Sequence, residues 1–320
     1  MNNALLSAAQ SHMQAGQLAE AETLCHQILQ QQPHSIEALS WLALIAEQTD
    51  RLADSVAYYE QILQQAPHSA ETHSNLGSVL CRQGRRADAI AHHQKAVALM
   101  PQDAEAYYNL GVAFYEDGQL DRAIVHYQQA IALNPQHANA HNNLGIALSK
   151  QGNLSGAIDH YQQAVTLNPD HINAHNSLGV ALFNQGRLAD AAAHYQQAIA
   201  LNPRYFSAHN NLGIALQRQG KRADAIAAYQ TALALKPDYA SAYDNLGTVL
   251  QEQGKLEDAI VQYRRAIAYD PACANAYNNL GSALKEQGNL NEAIACCLQA
   301  IQLQPNHADA HNNYASALVE

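Results

Sequence analysis

The sequence is short of charge. Asp, Glu, Lys and Arg make up 14% of its 320 residues, against roughly a quarter in an average globular chain. The charge present leans acidic, with 28 Asp and Glu against 17 Lys and Arg and a formal net charge of −11. No basic cluster stands out, which argues against nucleic acid as a partner, because phosphate binding needs a basic face. Apolar runs of the ~20 residues that cross a membrane are missing too, so no membrane insertion is expected. The opening Met1-Asn2-Asn3-Ala4-Leu5-Leu6 has no basic segment ahead of its apolar residues and does not read as a secretion signal. Cys25, Cys81, Cys273, Cys296 and Cys297 include no C-x-x-C spacing. An odd count with one adjacent pair makes a poor disulfide framework, so a reducing, cytoplasmic setting is expected. Pro/Ser-rich and like-charge blocks are also lacking, and 48% of the residues are hydrophobic. The chain therefore reads as folded throughout.

Proline is scarce as well, and its few copies are regularly placed. All nine, at 33, 67, 101, 135, 169, 203, 237, 271 and 305, are separated by steps of 34 residues. A fixed period of this length indicates stacked repeats. With the proline at place 32, nine full repeats begin at 2, 36, 70, 104, 138, 172, 206, 240 and 274, and a partial tenth covers 308–320. Gly16, Gly84, Gly118, Gly152, Gly186, Gly220, Gly254 and Gly288 all hold place 15, with Asp50 the one departure. Glycine there fits the left-handed residue that follows a helix, and the proline stops a second helix. Each repeat is thus two antiparallel helices joined by a short turn. His141, Leu144, Gly145 and Leu148 share one face of the first helix of the fifth repeat, and Ala157, Tyr161 and Ala164 one face of the second. The recurring mid-helix glycine, as in Gly145, predicts close helix approach.

Leu-Gly early in the repeat, a small residue then Tyr later, and the closing Pro resemble the tetratricopeptide repeat family from residue 2 to about 318. The first repeat departs with Ala8-Ala9 and the second with Leu42-Ala43. The expected fold is an all-α, right-handed superhelical solenoid of 34-residue helix–turn–helix repeats, a single array over 2–320. Its tenth repeat stops within the first helix and leaves apolar surface that a second copy of the chain would cover.

In such an array the first helices line the concave wall. Places 2, 6, 9 and 13 share one face of that helix, away from the packing face. Place 6 reads Asn75, Asn109, Asn143, Ser177, Asn211, Asn245, Asn279 and Asn313, with Asn176 beside the serine. Place 2 contributes Asn139, Asn173 and Asn275, and place 9 contributes Ile146, Val180 and Ile214. An asparagine amide offers donors and an acceptor that match a peptide group. A row of them can hydrogen-bond the main chain of an extended protein or peptide ligand while the apolar residues cover its side chains. The alternative is that these amides bond neighbouring helices. The row is similar to the asparagine ladder of the superhelical region that precedes the catalytic domain in protein O-linked N-acetylglucosaminyltransferases. That resemblance implies a substrate-recognition arm whose catalytic domain lies outside this chain. The basic clamp with which related repeats grip acidic chaperone tails is not matched, since its positions lack bases here.

Other chemistry finds little footing, and no cofactor or catalytic residue is expected. The pairs His137/His141, His171/His175 and His307/His311 have i, i+4 spacing but no recurring acidic third ligand. Packing is the better reading of His141, His175 and His209 at place 4. His92, His126, His160 and His194 at place 23 read as a stripe on the outer surface. Gly220-Lys221 and Gly254-Lys255 lack the rest of a phosphate-binding loop, and no G-x-S-x-G occurs. Trp41 reads equally as a partner anchor and as a cover for the first repeat.

Overall fold

The computed structural model describes residues 2–319, among which there are nineteen α-helices and no strand. The helices keep the period of the sequence. In the fifth repeat the first spans Ala138–Lys150 and the second Leu154–Leu167; corresponding helices start 34 residues later at Ile172 and Leu188. The turn between them closes by two backbone bonds, Gly152 N–H to Ser149 O at 3.1 Å and Asn153 N–H to Leu148 O at 2.9 Å. Gly152 has φ +88°, the left-handed conformation glycine adopts without a steric penalty. Asp50 adopts φ +59° at the matching turn. At the other end Asn134 is extended, φ −134° and ψ +91°, as the residue before a proline should be.

Packing follows the predicted faces. His141, Leu144, Gly145, Leu148, Ala157, Tyr161 and Ala164 are all buried. The mid-helix glycine accommodates a ring rather than a backbone alone. A Cβ on Gly145 would lie 2.6 Å from Cε1 of Tyr161 on the second helix of the same repeat, as well as 3.1 Å from Ala157 O. Where the tyrosine is replaced, its substitute takes the contact: Gly77 faces the His93 imidazole, and Gly281 faces Cys297.

Contacts divide the chain into two compact units, Met1–Leu167 and Asn168–Glu320. Each is a stack of hairpins in which a second helix packs on the first helix of the following repeat. In the first unit Trp41 packs against Ala9, Cys25, Ile28 and Leu42, so it covers the opening repeat. No helix among the described residues is long and apolar enough to cross a membrane.

Candidate functional site

The asparagines of place 6 do not simply line a wet wall; they tie successive first helices together. Asn109 Nδ2 donates to Ser74 Oγ at 3.3 Å and Asn143 Nδ2 to the Tyr108 hydroxyl at 3.1 Å. In the second unit Asn211 donates to Asn176 Oδ1 at 3.1 Å, Asn245 to Asn210 Oδ1 at 3.0 Å, Asn279 to Asp244 Oδ1 at 2.9 Å and Asn313 to Asn278 Oδ1 at 2.9 Å. Every rung spans 35 residues, from place 6 to place 5 of the preceding repeat. The acceptors are ones that sequence reasoning missed, Asn176 excepted. They are chemically mixed, and Asn210 and Asn278 are buried. Burial also raises the pKa of the Asp244 carboxyl, which the Asn279 amide partly offsets.

Each rung leaves capacity. An amide has two N–H groups and two acceptor lone pairs, and the rung takes one N–H. Asn142 and Asn278 each donate to the Oδ1 of the next residue, Asn143 at 3.1 Å and Asn279 at 3.3 Å. The Oδ1 atoms of Asn109, Asn211, Asn245 and Asn313 accept no bond among the described residues. Asn75 lies against the Tyr59 hydroxyl, which donates to Glu47 Oε1 at 2.7 Å. The place 6 side chains and Ser177 are half-buried, while Asn139, Asn173 and Asn275 are exposed. Ile146 and Ile214 are half-buried, and Val180 is 38% exposed.

Hollows open along this face within each unit. One of about 500 Å³ is lined by Asn75, Asn109, Glu71 and Glu105. A smaller one, about 200 Å³, has Val112, Tyr115, Tyr127 and Ile146 in its wall beside Asn143. In the second unit about 510 Å³ is lined by Asn278, Asn279, Asn313, Thr248, Ser282 and Glu286. A larger hollow, about 710 Å³, lies beside Leu63, Pro67, His73, His92 and Leu99 and contains no asparagine.

The histidines form a different device from the one the sequence suggests. His141 Nε2 bonds the Pro135 carbonyl at 3.2 Å, and its Nδ1 meets Nδ1 of His160 at 3.0 Å. A carbonyl only accepts, so Nε2 of His141 carries the proton, its Nδ1 accepts, and His160 donates. His73 with His92 and Pro67, and His175 with His194 and Pro169, repeat the relay at 2.9–3.1 Å. The place 23 row is therefore not an outer stripe. His92, His126, His160 and His194 are half-buried, and burial lowers the pKa of each. His126 instead stacks on Phe114 at 5.2 Å, because Tyr107 stands at place 4 there. His137, His171 and His307 cap helices, each accepting a backbone N–H at Nδ1. The i, i+4 pairs thus have separate structural tasks.

The cysteines are free, with Cys25, Cys296 and Cys297 buried. Burial, with Glu116 adding to it, pushes the half-buried Cys81 thiol up to about 12, opposite to the shift that activates a nucleophile.

With this geometry established, the chain can be set beside known proteins. The family model described as Tetratricopeptide repeat matches residues 6–70, 143–206, 176–240 and 210–262. Another with the same description matches 274–307, and one described as TPR repeat matches 77–118, 113–152 and 247–288. The fold is similar to a chain in the crystal structure of the APC/C hetero-tetramer Cut9-Hcn1, with 20% identity and a TM-score of 0.66. That likeness covers 94% of this chain and 59% of the other. It is also similar to PilF from Pseudomonas aeruginosa, with 21% identity and a TM-score of 0.59, over 67% of this chain and 97% of that one. At these identities the likeness is one of fold. No protein of curated description matches the chain.

Proposed function

Because the chain belongs to the tetratricopeptide repeat family, whose arrays serve as protein-interaction scaffolds, we propose that it binds extended polypeptide segments along the asparagine ladder. One observation carries this reading. Asn75, Asn109 and Asn143 border hollows in the first unit and Asn279 and Asn313 in the second, and the rungs of Asn109, Asn211, Asn245 and Asn313 leave an N–H and the Oδ1 unused among the described residues. A peptide main chain presents the matching donor and acceptor at every residue. The rungs add to this by holding the amides in place, so little side-chain freedom remains to be lost on binding. Val112, Ile146 and Ile214 beside the ladder supply apolar cover. Main-chain contacts of this kind are indifferent to most side chains, so the ligand set is broad.

The test is binding of the full chain to an array of unrelated extended peptides, beside a variant carrying Asn143→Ala, Asn211→Ala and Asn245→Ala. Binding to many peptides that disappears in the variant, with helicity retained, is the expected result. Binding that survives the substitutions would assign the amides to the scaffold alone.

A further inference from the structure

The ladder hollows carry a charge pattern that narrows the ligand. In the first unit, Asn75 and Asn109 share their hollow of about 500 Å³ with Glu71, Asp103 and Glu105. In the second, Asn279 and Asn313 share about 510 Å³ with Glu252, Glu286 and Asp309. Each wall holds three carboxylates, and neither contains Lys or Arg. The same chemistry therefore arises twice, in separate units, with place 2 shared (Glu71, Glu105 and Asp309) and the other carboxylates drawn from different positions of the repeat. It does so in a sequence where acidic residues are only 28 of 320.

These carboxylates are largely uncompensated. Glu71, Glu286 and Asp309 form no ion pair among the described residues. Among the described residues Glu286 accepts only the neutral amide of Gln251. Glu105 meets His137 at 3.2 Å, and Glu252 is joined by Arg222 at 3.1 Å. Lys285, next to Glu286 in sequence, donates to Ser316 Oγ at 3.0 Å. Like charges gathered in a concave space raise the local negative potential, and an entering cation relieves it. The hollow of about 200 Å³ beside Asn143 has a single carboxylate, Glu116, among Val112, Tyr115, Tyr127 and Ile146, and these mainly apolar walls suit an aliphatic side chain.

We infer that the two acidic hollows select Lys and Arg side chains, so that the partner is a basic extended segment of another protein. This rests on the ladder reading above: the amides hold the main chain, and the hollows choose its side chains. Arg suits the sites especially, because its planar fork can bond a carboxylate and an amide oxygen together.

The experiment compares three peptides of one length and backbone, bearing Lys/Arg, Gln or Glu at alternate positions, binding to the full chain by fluorescence anisotropy. The basic peptide is expected to bind about tenfold more tightly than the Gln peptide at low ionic strength. That margin should shrink as salt approaches ~0.5 M. A variant with Glu71→Gln, Glu105→Gln, Glu286→Gln and Asp309→Asn should lose the preference while still binding the Gln peptide. A second variant, Glu257→Gln with Asp258→Asn, removes exposed charges outside the hollows and should keep the preference. Equal binding of basic and neutral peptides, or a preference that survives the fourfold variant, overturns the charge selection and leaves the ladder reading standing. Failure of all three peptides to bind overturns both.

Discussion

The side-chain amide of Asn245 donates to Oδ1 of Asn210, 3.0 Å away on the preceding first helix, and Asn210 is only 3% exposed. Removing the donor leaves a buried acceptor without its partner. Asn245→Ala should therefore destabilise by about 1–2 kcal/mol, measured by urea unfolding. Exposed Asn173 on the same helical face makes no such bond among the described residues, and Asn173→Ala should be neutral within about 0.5 kcal/mol. Equal effects would deny the rung any role in joining repeats.

A Cβ on Gly213 would stand 2.5 Å from Cε1 of Tyr229, a ring with no measurable exposure. Helix propensity alone favours Gly213→Ala by about 1 kcal/mol. Overpacking against the fixed ring opposes it by about 1–3 kcal/mol. A lower Tm is expected, and the loss should be smaller in a Tyr229→Leu background. A higher Tm in the single variant would mean the ring moves aside freely.

His93 stands where most repeats have tyrosine and is 2% exposed. Burial lowers its pKa from 6.5 to about 4. The unfolded chain then takes up a proton that the folded chain refuses between pH 6.5 and about 4. Stability falls as the pH drops through that window, by at most about 3 kcal/mol from this residue. His73, His92, His141, His160 and His194 act in the same direction, since burial lowers their pKa values too. Urea titrations from pH 7 to pH 4 should show the decline, and His93→Tyr should flatten part of it. An unchanged slope would remove His93 from the acid response.

Asp50 holds φ +59°, where its counterparts are glycines at φ +72° to +88°. A left-handed residue with a Cβ is strained, and the exposed pair of Asp50 with Arg82 at 3.1 Å returns little. Asp50→Gly should stabilise by about 0.5–1 kcal/mol in thermal unfolding. Destabilisation would show that the Arg82 contact outweighs the strain.

Much of this molecule was legible in its sequence because the signals that delimit helices are local. Gly152 and Pro169 bracket the helix Leu154–Leu167, and the packing faces followed from 3.6-residue periodicity. The site was legible only in part. The row Asn109, Asn143, Asn211 could be read as a face, but its partners Ser74, Tyr108 and Asn176 share no residue type. Their role depends on the register between repeats, which no local pattern encodes. The sequence alone sets His160 on an outer stripe for the same reason, since only the packed hairpin brings it to His141. The glycine at 145 reads as a close contact in the sequence, yet the ring of Tyr161 that demands it is brought there only by the fold.

The central claim is that the ladder reads a main chain. The most direct test is calorimetric titration of the full chain with one bound peptide, a scrambled peptide of the same composition, and a version methylated on alternate backbone nitrogens. The scrambled peptide should bind within a fewfold of the parent, whereas methylation, which removes main-chain donors and keeps every side chain, should abolish binding. If the methylated peptide binds as well as the parent and the scrambled one does not, recognition runs through side chains and the ladder is a structural seam.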